Sequence, residues 1–207
     1  MLTACRRKWF LIVGAACLAA FLCVLVPVLT GAVTGMDDAV YSAISPAINP
    51  AMTWVMRKIS FFASLPFVCS ALLALLLLPK TRHRFGFPLS IAMLSCAVIN
   101  QLVKFLVAKE RPGILILDVE NGFSFPSGHS MAALVFYGLL LYFILRFVRH
   151  KNRRVLLSFL CIAVILLVGV SRIYLGVHFF SDVVGGFLLG GAVLFFFLYF
   201  YEKKLPA

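Results

Sequence analysis

Acidic residues are scarce in this chain: seven Asp and Glu stand against nineteen Lys and Arg in 207 residues, and charged residues of both signs make up only 13%. So little charge beside 63% hydrophobic residues excludes an ordinary soluble domain, whose surface needs far more polar material. No two of the six cysteines have CxxC spacing, and all but Cys5 lie inside apolar runs, so they read as small core residues, neither disulfides nor metal ligands. An internal repeat and a low-complexity tract are also missing. The net charge of +12 is not a nucleic-acid footprint, because no basic stripe is interleaved with a soluble aromatic face.

What is present is a series of apolar runs long enough to cross a bilayer, at roughly 20 residues per crossing. They define an all-α polytopic membrane protein, a single domain over residues 1–207 with six transmembrane helices in a bundle. The first run goes from Trp9 to about Thr30, behind Arg6, Arg7 and Lys8, and reads as a retained helix with room for a kink at Pro27. The later runs are about Phe61–Leu78, Gly86–Val107, Gly128–Phe147, Val155–Val170 and Phe179–Tyr201. Residues 31–60 are less apolar and carry Asp37, Asp38, Pro46 and Pro50; interfacial helices and a plain connecting loop are both open readings there.

Six crossings put both termini on one side. That side and its turns hold Arg6, Arg7, Lys8, Lys80, Arg82, Arg84, Arg146, Arg149, Lys151, Arg153, Arg154, Lys203 and Lys204, thirteen of the nineteen cations. By the positive-inside rule it is the cytoplasmic face of a multi-pass cell-membrane protein. Arg57, Lys58, Lys104, Lys109, Arg111 and Arg172 fall on the other side and need a reason to be there. Gly186 and Gly190 form a GxxxG on the sixth run and predict a close helix contact.

Three polar blocks face that extracytoplasmic side. In the first, Lys104 and Arg111 are seven apart, on one face of a continued helix, before Pro112 ends it. The second, Pro126-Ser127-Gly128-His129, opens the fourth run; Ser127 can cap the helix, Gly128 admits a ligand to the backbone, and the helix start is an anion site. The third is Ser171-Arg172 with His178 and Asp182, the last two four apart and therefore on one helix face. Arg172 and His178 are out of phase on a straight helix, so a break is expected, with Gly176 as its natural place. Residues 130–170 suffice for two crossings and a tight turn, which returns His129 and Ser171 to the same side.

Permanent cations at this density suit an anion with several oxygens, such as a phosphoryl group. A histidine backed by a carboxylate makes a nucleophile or base, which fits His178 with Asp182, and His129 can protonate a leaving oxygen. A metal on His129, His178 and Asp182 is the competing reading. Lys104, Arg111 and Arg172 would repel a dication there. His83 and His150 read as surface histidines, Lys109 and Glu110 as a solvated pair more readily than as shapers of a substrate mouth, and Asp118 and Glu120 as loop acids that either repel anionic competitors or bind nothing. Asn100 and Gln101 read as partners in interhelical hydrogen bonds.

Lys104-x6-Arg111-Pro112, Pro126-Ser127-Gly128-His129 and Ser171-Arg172-x5-His178-x3-Asp182 together resemble the three-part signature of the type 2 phosphatidic acid phosphatase (PAP2) superfamily, with all eleven positions present in order. The resemblance implies a metal-independent membrane phosphatase with no cofactor. In it His178 forms a phosphohistidine backed by Asp182, and His129 acts as the acid. Lys104, Arg111, Arg172, Ser127 and the Gly128 backbone hold the phosphoryl oxygens. The chain's small size is similar to that of bacterial members acting on phosphatidylglycerol phosphate or undecaprenyl diphosphate; phosphatidic acid is a third substrate to consider. The expected partners are a lipid phosphate and membrane lipids, without nucleic acid. A phosphotransferase with a non-water acceptor, and an anion transporter using the same cations, are the alternatives.

Overall fold

The computed structural model describes residues 2–113, 117, 118 and 120–204. Its helices are α1 (Leu2–Thr30), α2 (Thr34–Ile44), α3 (Pro50–Phe61), α4 (Leu65–Leu77), a short α5 (Pro79–Thr81), α6 (Phe87–Val107), α7 (Gly128–Phe147), α8 (Lys151–Tyr174) and α9 (Phe180–Lys204), and no strand occurs among the described residues. Six stretches have the length and apolarity of membrane crossings: Cys5–Thr30, Pro50–Leu77, Pro79–Val107, Gly128–Phe147, Lys151–Tyr174 and Phe180–Lys203. The chain is a multi-pass membrane protein with an all-α fold.

Local chemistry sets the helix ends. Asn49 and Ser64 cap α3 and α4 by accepting the Met52 and Phe67 N–H groups, and each helix has a proline in its first turn, where no donor is lost. α1 continues past Pro27 to Thr30, where Gly31 at φ 74° turns the chain. The second crossing differs from the expected 61–78. α4 alone has 13 residues, about 20 Å of helix, too short for a core of about 30 Å. α3 lies directly before it, and the apolar stretch of crossing length is Pro50–Leu77. Residues 34–44 and 50–61 are thus helical and not a plain loop.

α1 packs along α9, and α7 packs against both α8 and α9. The glycines of α9 allow the closest approach: a Cβ at Gly186 would sit 2.6 Å from the Ser127 carbonyl oxygen, and one at Gly190 would sit 3.1 Å from that of Met131. This is the contact expected of the GxxxG. At the other end of the bundle Glu202 is buried; it accepts from Arg6 at 2.5 Å, Arg146 at 2.8 Å and the Tyr142 hydroxyl. That cluster fastens the first turns of α1 to the last turns of α9, so both ends of the described chain lie at one end of the bundle. Large apolar side chains such as Leu65, Leu77, Leu106 and Phe159 remain exposed around the helices, as lipid-facing side chains do.

Candidate active site

At the opposite end, three segments converge. The helix expected to carry both Lys104 and Arg111 stops at Val107, because Ala108 adopts a left-handed conformation (φ 50°) and its N–H bonds the Lys104 carbonyl at 2.9 Å. Arg111 therefore arrives on non-helical chain, not on a continued helical face. Its guanidinium gathers the chain around it. Nε donates to Gly122 O at 2.9 Å, Nη1 to Val177 O at 2.8 Å, and Nη2 to Asn121 O at 3.1 Å. Lys104 is buried and donates to Phe123 O at 2.6 Å.

The second segment opens α7. Ser127 caps it, accepting from the Ser130 N–H at 3.4 Å and the Ser130 hydroxyl at 3.0 Å. The Ser127 N–H is held by the carbonyl of Asp182 at 3.0 Å. A side chain at Gly128 would be tight, its Cβ lying 3.2 Å from Asn100 Oδ1. Asn100 makes the expected interhelical bond, donating to Pro126 O at 3.3 Å. Ser127 thus serves here as a cap, with its hydroxyl turned to Ser130.

The third segment bends where phase required. α8 ends at Tyr174, Gly176 has φ 69°, and both Val177 N–H and His178 N–H return to the Arg172 carbonyl at 3.3 Å. The bend brings Arg172 and His178 to one place. Both are almost fully buried, at 1% and 2% exposure. His178 Nδ1 lies 3.4 Å from Asp182 Oδ2 and 3.3 Å from Ser124 Oγ, while Nε2 faces Arg111 Nη1 at 3.4 Å. Asp182 also accepts the Phe179 N–H at 2.9 Å, the Ser124 hydroxyl, and Lys109 Nζ at 2.9 Å. Ser171 bonds back to Val168 O at 2.7 Å.

At the focus of these groups lies the carboxylate of Glu120. Its Oε1 is 3.1 Å from His129 Nδ1 and also takes a bond from Arg172 Nη2; its Oε2 is 3.2 Å from Arg111 Nη2 and 3.6 Å from His178 Nε2. Burial alone would raise this carboxyl. The two histidines facing it and the charge of Arg172 outweigh burial and hold it well below the usual carboxylate range. Arg172 Nη1 is bonded to the buried Ser60 hydroxyl, and Arg172 Nε is left without a hydrogen-bond partner. His129, His178, Arg111 and Arg172 are thus brought together around one anionic group, with Asp182 behind His178. Among the described residues no three His, Cys, Asp or Glu side chains are arranged to hold a metal ion.

Sequence reasoning passed over Ser124 and Ser60, and it named Glu120, Lys109 and Asp37 without the partners they have here. Lys109 is not part of a solvated pair: it bridges Asp182 to the buried Asp37, 3.3 Å away, and packs on the Phe179 ring. Asp37 in turn accepts the Ser181 N–H at 2.8 Å and the Ser181 hydroxyl at 2.7 Å. The available signal was Asp37 and Asp38 standing in an acid-poor chain.

Beside this cluster a groove of about 530 Å³ runs between α4, α6 and α7. Leu65, Val68, Met93 and Ala132 line its walls, and Gly128 and His129 also line it.

The chain is thus a six-crossing membrane bundle with two arginines and two histidines gathered around one carboxylate at one end. The chain belongs to the PAP2 superfamily, whose family model matches residues 85–206. Over 109 residues it is 39% identical to phosphatidylglycerophosphatase B of Bacillus subtilis (strain 168), covering 52% of this chain and 53% of that protein. It is 30% identical to an undecaprenyl-diphosphatase of Sulfolobus acidocaldarius over 128 residues, 59% of this chain and 58% of that one. The chain thus spans between half and three-fifths of these curated relatives. The fold matches the crystal structure of a transmembrane PAP2-type phosphatidylglycerolphosphate phosphatase from Bacillus subtilis at a TM-score of 0.85 and 29% identity, covering 94% of this chain and 98% of that one. Aquifex aeolicus LpxE matches at a TM-score of 0.60 and 25% identity, over 77% of this chain and 93% of that one.

Proposed function

We propose that this chain is a membrane phosphatase acting on a phosphomonoester or diphosphate lipid, through a phosphohistidine at His178. The observation that carries the reading is the seat occupied by Glu120. Arg111, Arg172, His129 and His178 already hold a small oxyanion there, at the end of an apolar groove that can take a lipid chain. The substrates favoured are phosphatidylglycerol phosphate and undecaprenyl diphosphate, the lipids named in the relatives, with phosphatidic acid third.

The mechanism follows from which nitrogen faces what. His178 Nδ1 is turned to Asp182 and Ser124, so Nε2 is the free nucleophile beside the oxyanion seat. Nε2 attacks phosphorus, the bond from phosphorus to the leaving oxygen breaks, and His129 gives that oxygen its proton. Water then attacks the phosphohistidine, His129 takes the water's proton, and the P–N bond breaks to free His178. Asp182 stabilises the imidazolium. Arg111 and Arg172 hold the equatorial oxygens as charge shifts. Lys104 adds charge from behind Phe123, and the first turn of α7, capped by Ser127 and opened by Gly128, adds its dipole. The site lies on the extracytoplasmic face, with both termini cytoplasmic.

The test is phosphate release by purified protein from a panel of lipid phosphates and a soluble sugar phosphate. His178→Ala is expected to abolish release, by more than about a thousandfold, while keeping the folded state. Substantial turnover by that variant removes the nucleophile assignment. Activity is expected to survive excess chelator, and its loss there restores the metal reading. Appearance of label in a lipid or sugar hydroxyl instead of free phosphate marks a phosphotransferase.

A further inference from the structure

Glu120 is the part of this site that the mechanism does not use. It has the charge and shape of a substrate fragment: two oxygens and one negative charge, seated where phosphoryl oxygens belong on the reading above. Oε1 meets His129 at 3.1 Å and Arg172; Oε2 meets Arg111 at 3.2 Å and His178 at 3.6 Å. The arrangement cannot coexist with a substrate phosphoryl group on the same donors. It also leaves a donor over, since Arg172 Nε has no partner while Nη2 of the same fork is engaged. A carboxylate has no third oxygen to give. A phosphoryl group does.

We propose that Glu120 is an internal competitor for the oxyanion seat that sets the binding energy an outside ligand must exceed, a threshold that a phosphomonoester or diphosphate meets and a phosphodiester does not. This rests on the phosphatase reading of the site. A phosphodiester headgroup carries one negative charge and two unesterified oxygens, the same as a carboxylate. Exchanging Glu120 for it gains nothing in charge or in hydrogen bonds. Glu120 has the further advantage of tethering, which acts as a local concentration on the order of millimolar. A terminal phosphoryl group carries about −1.5 to −2 charges and three oxygens. It can satisfy Arg172 Nε and Nη2 together and still reach Arg111 and His129. The distinction matters at a bilayer, where phosphodiester headgroups surround the site. Without the competitor, two arginines at the end of a lipid groove would bind any of them. Occupancy by Glu120 multiplies every outside affinity by the fraction of sites left open, and only a ligand with surplus binding energy overcomes that.

A plain structural role is the rival account: Glu120 would merely brace Arg172. The two separate on the sign of a binding change. Glu120→Gln keeps size and removes charge. Full-length protein in mixed micelles is assayed for lipid-phosphate turnover, with inorganic phosphate and a dioleoyl phosphodiester lipid each titrated as inhibitor. The inhibition constants of both are expected to fall about tenfold in Glu120→Gln, with the phosphodiester changing from a poor inhibitor to a competitive one. KM is expected to fall more than kcat. Glu120→Asp, with its carboxylate drawn back by one methylene, is expected to shift both constants the same way by less, and carries the test should Glu120→Gln fail to fold. Unchanged or weaker inhibition in a folded, active variant overturns the proposal and leaves Glu120 a brace. Absence of phosphate release from every lipid by the unsubstituted protein overturns the phosphatase reading first, and this proposal with it.

Discussion

Ser124 shows how much of a site can depend on a residue without chemistry of its own. Its hydroxyl donates to Asp182 and lies 3.3 Å from His178 Nδ1, so it occupies the space between the proposed nucleophile and its carboxylate. Removing it takes away one of the three groups that donate to Asp182 and one of the two that face His178 Nδ1. Ser124→Ala is expected to lower kcat by about tenfold, the effect of one hydrogen bond to a charged group, with KM little changed. Steady-state kinetics on a lipid phosphate checks the split. Glu120 behaves differently across pH. Its folded-state pKa is depressed, so its ion pairs are complete above the ordinary carboxylate range and are lost only as pH falls through the lower, folded value. The inhibition shift in Glu120→Gln, taken as a ratio at each pH, is therefore expected to be the same at about pH 5.5 and pH 7.5. Neither residue was legible from spacing. Both lie on a loop, where no period says which way a side chain points. Lys104, Ser127, Gly128, His129, Ser171, Arg172 and Asp182 could be placed from spacing because they sit on helices or at helix ends, where geometry is fixed in advance, whereas Arg111 and His178 lie on non-helical chain. Lys109 was misread because its neighbour Glu110 suggested a pair, whereas its partners Asp37 and Asp182 lie 72 and 73 residues away.

At the scale of elements, α2 is the clearest case of a helix acting through one residue. Asp37 caps α9 from another helix, taking the Ser181 N–H and hydroxyl that begin it, and it neutralises Lys109 beside Asp182. Asp37→Ala leaves the buried Ser181 N–H without its acceptor and Lys109 with Asp182 as its remaining carboxylate. A loss of about 2–4 kcal/mol in detergent stability follows, read as a lowered thermal midpoint. The start of α9, and hence His178, should loosen before the bundle does. Tyr174 does for α3 what Asp37 does for α9: its hydroxyl receives the Asn49 N–H at 3.1 Å and fixes the start of α3 over the end of α8. The crossings themselves were visible in the sequence because bilayer thickness dictates their length. The Gly176 break was visible too, since Arg172 and His178 could meet only if the helix ended between them. The second crossing was not, because the sequence offers no rule by which α3 and α4 are joined end to end across Phe62–Ser64.

For the whole molecule, the bundle places the cation-rich end and the cluster around Glu120 at opposite ends. The Arg6–Glu202–Arg146 cluster lies at the end that carries thirteen of the cations, and the oxyanion seat lies at the other. On the proposed topology, a protease-cleavable tag at either terminus is expected to be cut in intact cells only after permeabilisation. A cysteine at the exposed Asn121 should react with an impermeant thiol reagent from outside. Labelling with the opposite pattern reverses the assignment.

The N–H of Ser127 is bonded to the carbonyl of Asp182, and just beneath it Gly186 brings the α9 backbone against that of Ser127. The two proposed catalytic histidines are therefore spaced by main-chain atoms, like the jaws of a calliper locked at its rivet. The greasy exterior of the bundle can drift from one lipid environment to another without resetting that gap. A single methyl group at the rivet would open it.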